Sequence, residues 1–129
     1  MEITVKEFAN SELITVRGRV DSIEAPRFAK ALEDANHRGK YNLVIDMSGL
    51  EYMSSAGFRA LAATQRNCRR YNRGDIVLAQ VPPLIHDALD LVGFAEHFSI
   101  FDRLESALDF VESGTADVPA SDSQNSSSE

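Results

Sequence analysis

The chain has 129 residues, 43% hydrophobic and 26% charged, with a net charge of −7. That length supports one domain whose core needs no staple, and the single cysteine, Cys68, excludes an internal disulfide and a cysteine-rich zinc site. No apolar run approaches a membrane span, and the first six residues lack a basic stretch followed by an apolar one, so no signal peptide and a cytoplasmic protein are expected. The acidic balance lacks the footprint of a nucleic-acid binder and disfavours an anionic membrane, so neither is an expected partner.

Ile3 and Val5 alternate with polar residues, and Leu13-Ile14-Thr15-Val16 is rich in strand formers; Asn10-Ser11 between them predicts a β-hairpin. Asp21 or Ser22 can cap a following helix, where Pro26 is tolerated in the first turn. Phe28, Leu32 and Ala35 share one face of that helix, and Gly39 ends it. Asn42 to Met47 is nearly continuously apolar, the pattern of a strand buried on both faces of a parallel sheet. After Ser48-Gly49, a second helix carries the stripe Gly57, Leu61, Thr64, Cys68 and Tyr71.

Ile76 to Ala79 is a further strand. Pro82-Pro83 opens a third helix with Leu84, Ile85, Ala88, Leu89 and Val92 inward, closed by Gly93. Phe98 to Phe101 is a last short strand, and Arg103 to Glu112 a last helix with Leu104, Ala107, Leu108 and Val111 inward. A hairpin followed by alternating helix and strand predicts a single α/β domain over residues 1–112: about five strands in a mixed sheet, packed with about four helices. Residues 113–129 hold six serines, three carboxylates, no cation and one large apolar residue, Val118. Such a segment cannot bury enough surface to offset its ordering entropy, so a disordered acidic tail is expected. It carries −3 of the net charge and leaves −4 to the domain.

Signatures of enzyme chemistry are missing. His37, His86 and His97 lie in separate segments, and only His86 with Asp90 approaches a ligand spacing; exposed or helix-end histidines are the expectation, with no metal. Neither GxxxxGK[ST] nor GxGxxG occurs, and Ser55 has Met53 where a GxSxG elbow requires glycine. No cofactor is expected, and a small enzyme with Ser55 as nucleophile is disfavoured because no recognisable base partners it. The informative stretch is Ser54-Ser55-Ala56-Gly57, between a buried strand and a helix. Either hydroxyl could cap the helix, and the same place tolerates a phosphate beside free N–H groups.

Asp46-Met47-Ser48-Gly49-Leu50-Glu51-Tyr52-Met53-Ser54-Ser55-Ala56-Gly57-Phe58-Arg59-Ala60-Leu61 resembles the signature of STAS domains, in particular bacterial anti-sigma factor antagonists. Gly18-Arg19-Val20-Asp21 and the block Leu91-Val92-Gly93-Phe94, Phe98 to Phe101 and Ser106-Ala107-Leu108 extend the resemblance to roughly residues 3–112. It implies a non-enzymatic switch protein. The unphosphorylated form binds an anti-sigma factor that is also a serine kinase; phosphorylation at Ser55 blocks binding, and a serine phosphatase reverses it. Ser54 stands where the motif has Asp, and Ala56 where it has Ser, so local negative charge is lower and Ser54 is a rival acceptor. Asp21, Asp46, Ser54, Ser55, Ala56, Gly57, Phe58 and Arg59 are the implied partner-binding residues. Arg59, Arg66, Arg69, Arg70 and Arg73 read either as a solvated face complementing the helix dipole or as a docking edge for an acidic partner. An output other than a sigma factor (secretion, a signalling phosphatase or a stress scaffold) is the alternative that sequence alone leaves open.

Overall fold

The computed structural model describes residues 1–113. Strand β1 (Glu2–Glu7) and strand β2 (Glu12–Val20) form the expected antiparallel hairpin, with Ile3 opposite Val16 and Val5 opposite Ile14. Helix α1 (Ala25–His37) leads to β3 (Leu43–Asp46), which pairs parallel with β2. Strand β4 (Leu50–Met53) follows, then helix α2 (Ser55–Arg69), β5 (Ile76–Ala79), helix α3 (Pro83–Leu91), β6 (Ser99–Phe101) and helix α4 (Leu104–Ser113). The sheet runs β1-β2-β3-β5-β6, parallel from β2 onward, with β4 paired to β2.

The sheet has six strands where about five were expected, and the fold class is as expected: a mixed sheet with an N-terminal hairpin, packed with four helices. The added strand is β4, which occupies the hydrogen-bonding edge of Gly18–Val20 that β3 is too short to reach.

Period-two alternation explains why the central strands read as continuously apolar. Leu43 and Ile45 of β3, with Ile76 and Leu78 of β5, join Phe28, Leu32, Leu61 and Leu89 in one core. Val44, Val77 and Ala79 point the other way, onto Phe101, Ala107 and Val111 beneath α4. Each face therefore receives every second residue, and both are apolar. Gly39 and Gly93 adopt φ of 85° and 78° just past α1 and α3, the left-handed geometry that ends a helix cheaply only in glycine.

Three residues expected inward are not. Tyr71 lies beyond the end of α2 with φ 60°, and this left-handed turn carries its ring off the helical stripe into solvent. In α3 the buried line is Ile85–Leu89, which leaves Leu84 about a quarter-turn away and exposed. Val92 falls outside that helix as its C-cap and is exposed too. The last helix runs one residue past the expected boundary, to Ser113; the rest of the expected tail lies outside the described residues.

Cys68 is fully buried, with Asn36 Nδ2 donating to its Sγ at 3.5 Å. Burial pushes the thiol's pKa upward, partly opposed by that hydrogen bond. We expect native protein to react with iodoacetamide at least about a hundredfold more slowly than unfolded chain, because attack requires an opening that exposes the thiolate. The linkage has a definite sign. Unfolded chain ionises Cys68 as pH passes about 8.5 while the folded thiol stays protonated, so its contribution is intact below that pH and lost above it. Equal alkylation rates for folded and unfolded chain would contradict this placement.

Candidate functional site

Parallel strands all end on one side of the sheet, and there the topology gathers residues distant in sequence. Asp21 follows β2, Asp46 ends β3, and Ser54-Ser55 follow β4. Ser54 N donates to the Val20 carbonyl at 2.8 Å, which joins the start of α2 to the end of β2 directly.

The two serines have different environments. Ser54 is the N-cap of α2, in extended conformation, and its Oγ accepts from Gly57 N at 3.3 Å. It is 9% exposed. Ser55 is the first helical residue and is exposed. No hydrogen bond among the described residues links its hydroxyl to a histidine or carboxylate. The first turn of α2 holds no acidic residue, so its free N–H groups and positive dipole end meet no carboxylate on their own turn.

Gly57 explains how α2 comes so close. A Cβ there would lie 2.6 Å from Met53 Cγ and 3.2 Å from Val20 Cγ1, so only glycine lets the first turn rest on the ends of β2 and β4. Phe58 anchors the next position: it is buried and meets Phe94 edge-to-face at 6.5 Å. Ala56 is half-buried against the same core. These three support the site from below, while Ser55 and Arg59 face solvent.

The aspartates shape loops. Asp21 Oδ1 accepts from Ile23 N at 3.1 Å and Glu24 N at 2.9 Å, which organises the turn entering α1. Asp46 is buried, and its Oδ1 accepts from Ser48 N at 3.0 Å, turning the chain out of β3. Asp21 is half-buried, so part of it is open to a partner.

Sequence reasoning passed over two features of this surface. Ile23 is 85% exposed at the tip of the Asp21 turn. Arg19 lies 4.5 Å over the ring of Tyr52, pairing β2 with β4 beside Ser54. The signal for Ile23 was present: an isoleucine inside a polar cap motif has no strand or helix face to bury it. For Arg19 and Tyr52 there was none, because their pairing depends on a register shift between Gly18 and Arg19.

Of the arginine set, Arg69 pairs with Asp75 at 2.9 Å, and Arg73 stacks on Tyr41 at 3.8 Å. Both lie toward the far end of α2 from Ser55 and serve packing there. Arg59 forms no ion pair among the described residues and is the member of the set placed beside Ser55.

The family model described as "Mlab, STAS domain" matches residues 3–105. The chain belongs to the STAS domain family. Similar curated relatives include the putative anti-sigma factor antagonist BtrV of Bordetella bronchiseptica, 25% identical over 107 residues, covering 83% of this chain and 91% of that one. The anti-sigma-F factor antagonist RsfB of Mycobacterium tuberculosis is 26% identical over 115 residues, covering 89% and 93%. Among solved structures, an anti-sigma factor antagonist from Mycobacterium paratuberculosis superposes with a TM-score of 0.74 at 25% identity, covering 86% and 93%. In this STAS domain the Ser54-Ser55-Ala56-Gly57 stretch forms the β4–α2 junction, and of its two serines Ser55 is the exposed one. Among the described residues no helix is long and apolar enough to cross a membrane.

Proposed function

We propose that this STAS domain is an anti-sigma factor antagonist working by partner switching. The unphosphorylated surface around Ser55 binds an anti-sigma factor that is also a serine kinase. Phosphate on Ser55 ends that binding, and a serine phosphatase restores it. The relatives named as anti-sigma factor antagonists support the general role. The observation that carries the finer reading is the division of labour between the serines: Ser54 is buried and spends its hydroxyl on Gly57 N, whereas Ser55 is exposed at the first helical position.

The chemistry asked of this chain is small. The kinase supplies the nucleotide, and Ser55 supplies only an accessible hydroxyl. A phosphate there adds about −1.5 to −2 charges next to a helix N-terminus, which stabilises the modified helix while repelling an acidic partner surface. Ile23 and Arg59 provide apolar and cationic contacts at the rim, and Asp21 a carboxylate.

The test is direct. The full chain is incubated with ATP and the kinase of its own switch, and the modified residue is mapped by mass spectrometry. Phosphate on Ser55 is expected. Phosphate on Ser54 or beyond Ser113, with Ser55 unmodified, overturns the assignment.

A further inference from the structure

The end of the molecule opposite Ser55 has a different character. There the hairpin turn, the segment entering β3 and the segment entering β5 surround a cleft of about 610 Å³, whose wall includes Asn10, Arg38, Lys40, Asn42, Arg73 and Glu112. Arg38 is matched by Glu12. Lys40 and Arg73 are held in place by neutral groups instead. Lys40 Nζ donates to the Phe8 carbonyl at 2.6 Å. Arg73 lies 3.8 Å over the Tyr41 ring and donates to the carbonyls of Asn67 and Arg70. Neither forms an ion pair with a carboxylate among the described residues. Glu112 is committed to the hairpin turn, accepting from Asn10 N and Ser11 Oγ. Two fixed cations thus line a cleft on a domain that is otherwise net acidic.

Ser113, the last described residue, lies on the wall of the same cleft. The sequence beyond it carries Asp117, Asp122 and Glu129 and no lysine or arginine. We propose that this cleft is the docking site of the chain's own acidic segment, residues 114–129, engaged through the carboxylates of Asp117 and Asp122. The tether makes the encounter hard to avoid. Asp117 is four residues past Ser113 and at most about 14 Å from it, and Asp122 at most about 32 Å. A short tether of this kind holds an attached group at an effective concentration in the millimolar range. With Val118 as its only large apolar residue, the segment engages by charge, and the interaction weakens as salt shortens the screening length from about 10 Å at 0.1 M to about 3 Å at 1 M. Docking at this pole shields it from other polyanions and leaves the Ser55 surface open.

The experiment uses the full chain with a nitroxide on Ser121→Cys; Cys68 is buried and stays unlabelled. At low salt, relaxation broadening is expected at the amides of Asn10, Lys40 and Asn42 and not at Ser55 or Arg59. Asp117→Asn with Asp122→Asn, or 0.5 M salt, is expected to reduce that broadening at least threefold. The salt arm changes no residue, so misfolding of a variant cannot imitate the result; Lys40→Gln should act in the same direction. Broadening that is absent, indifferent to charge and salt, or centred on Ser55 overturns the proposal. So does broadening that appears equally when spin-labelled, unenriched chain is mixed with enriched, unlabelled chain, which assigns the contact to a second copy. Every readout is independent of kinase, phosphatase and sigma factor.

Discussion

Ser55→Asp in the full chain is expected to weaken binding to the anti-sigma factor by at least about a hundredfold, whereas Ser55→Ala binds within about twofold of the unmodified protein. The asymmetry follows from charge. One unit of negative charge placed about 4 Å from an interface carboxylate, at an effective dielectric near 20, costs on the order of 4 kcal/mol, or nearly a thousandfold in affinity. Aspartate is shorter than phosphoserine and carries less charge, so it realises only part of that penalty. Ser55→Ala should be silent because the capping bond belongs to Ser54 Oγ. The companion variant Ser54→Ala separates the roles: it should cost about 1 kcal/mol of stability through the lost cap while leaving the switch intact. Calorimetric titration of the four proteins decides the matter, and equal affinities for the Asp and Ala variants at Ser55 would refute a charge switch.

The second large effect concerns stability. Glu12 is completely buried, and its counter-ion is Arg38, which reaches in from just past α1 to donate to both carboxylate oxygens. Arg38→Met removes the partner and strands a buried carboxylate, a class of change that costs about 3–5 kcal/mol. Arg38 is 39% exposed, so water recovers part of that, and the low end, about 3 kcal/mol, is the expected loss. For a domain of this size it corresponds to a fall in melting temperature of about 10 °C or more. The double variant Glu12→Gln with Arg38→Met should recover a substantial part of the loss, since no bare charge is then buried. Thermal unfolding of the unmodified protein and both variants tests this, and a double variant no better than Arg38→Met alone would mean that the ion pair is not the source.

Glu12 was legible in principle. Strand alternation places residues 12, 14 and 16 on one face, and Ile14 and Val16 mark that face as the core side. What the alternation does not reveal is the partner, which arrives from a different element. Strand β4 was not legible: Ser48-Gly49 reads as the end of regular structure, and Leu50-Glu51-Tyr52-Met53 buries its two ends and exposes its middle, matching no alternation. It becomes a strand because nine-residue β2 offers an edge that four-residue β3 leaves half empty. The fates of Val92 and Tyr71 were set by helix ends, which periodicity locates poorly because backbone geometry at the cap decides them.

Short-range pattern in the sequence determined the α/β class, the hairpin, the four helices and the segment that carries the candidate site. Each of these depends on spacing along the chain, and helical and strand periods leave that spacing visible. Two adjacent serines, however, have the same local chemistry. Which one caps the helix and which one faces solvent was decided only when α2 came to rest on Val20 and Met53, at a distance that the missing side chain of Gly57 permits. The charged cleft at the opposite pole belongs to the same category: Lys40, Arg73 and Ser113 share a wall because three elements end there, a proximity set by sheet topology.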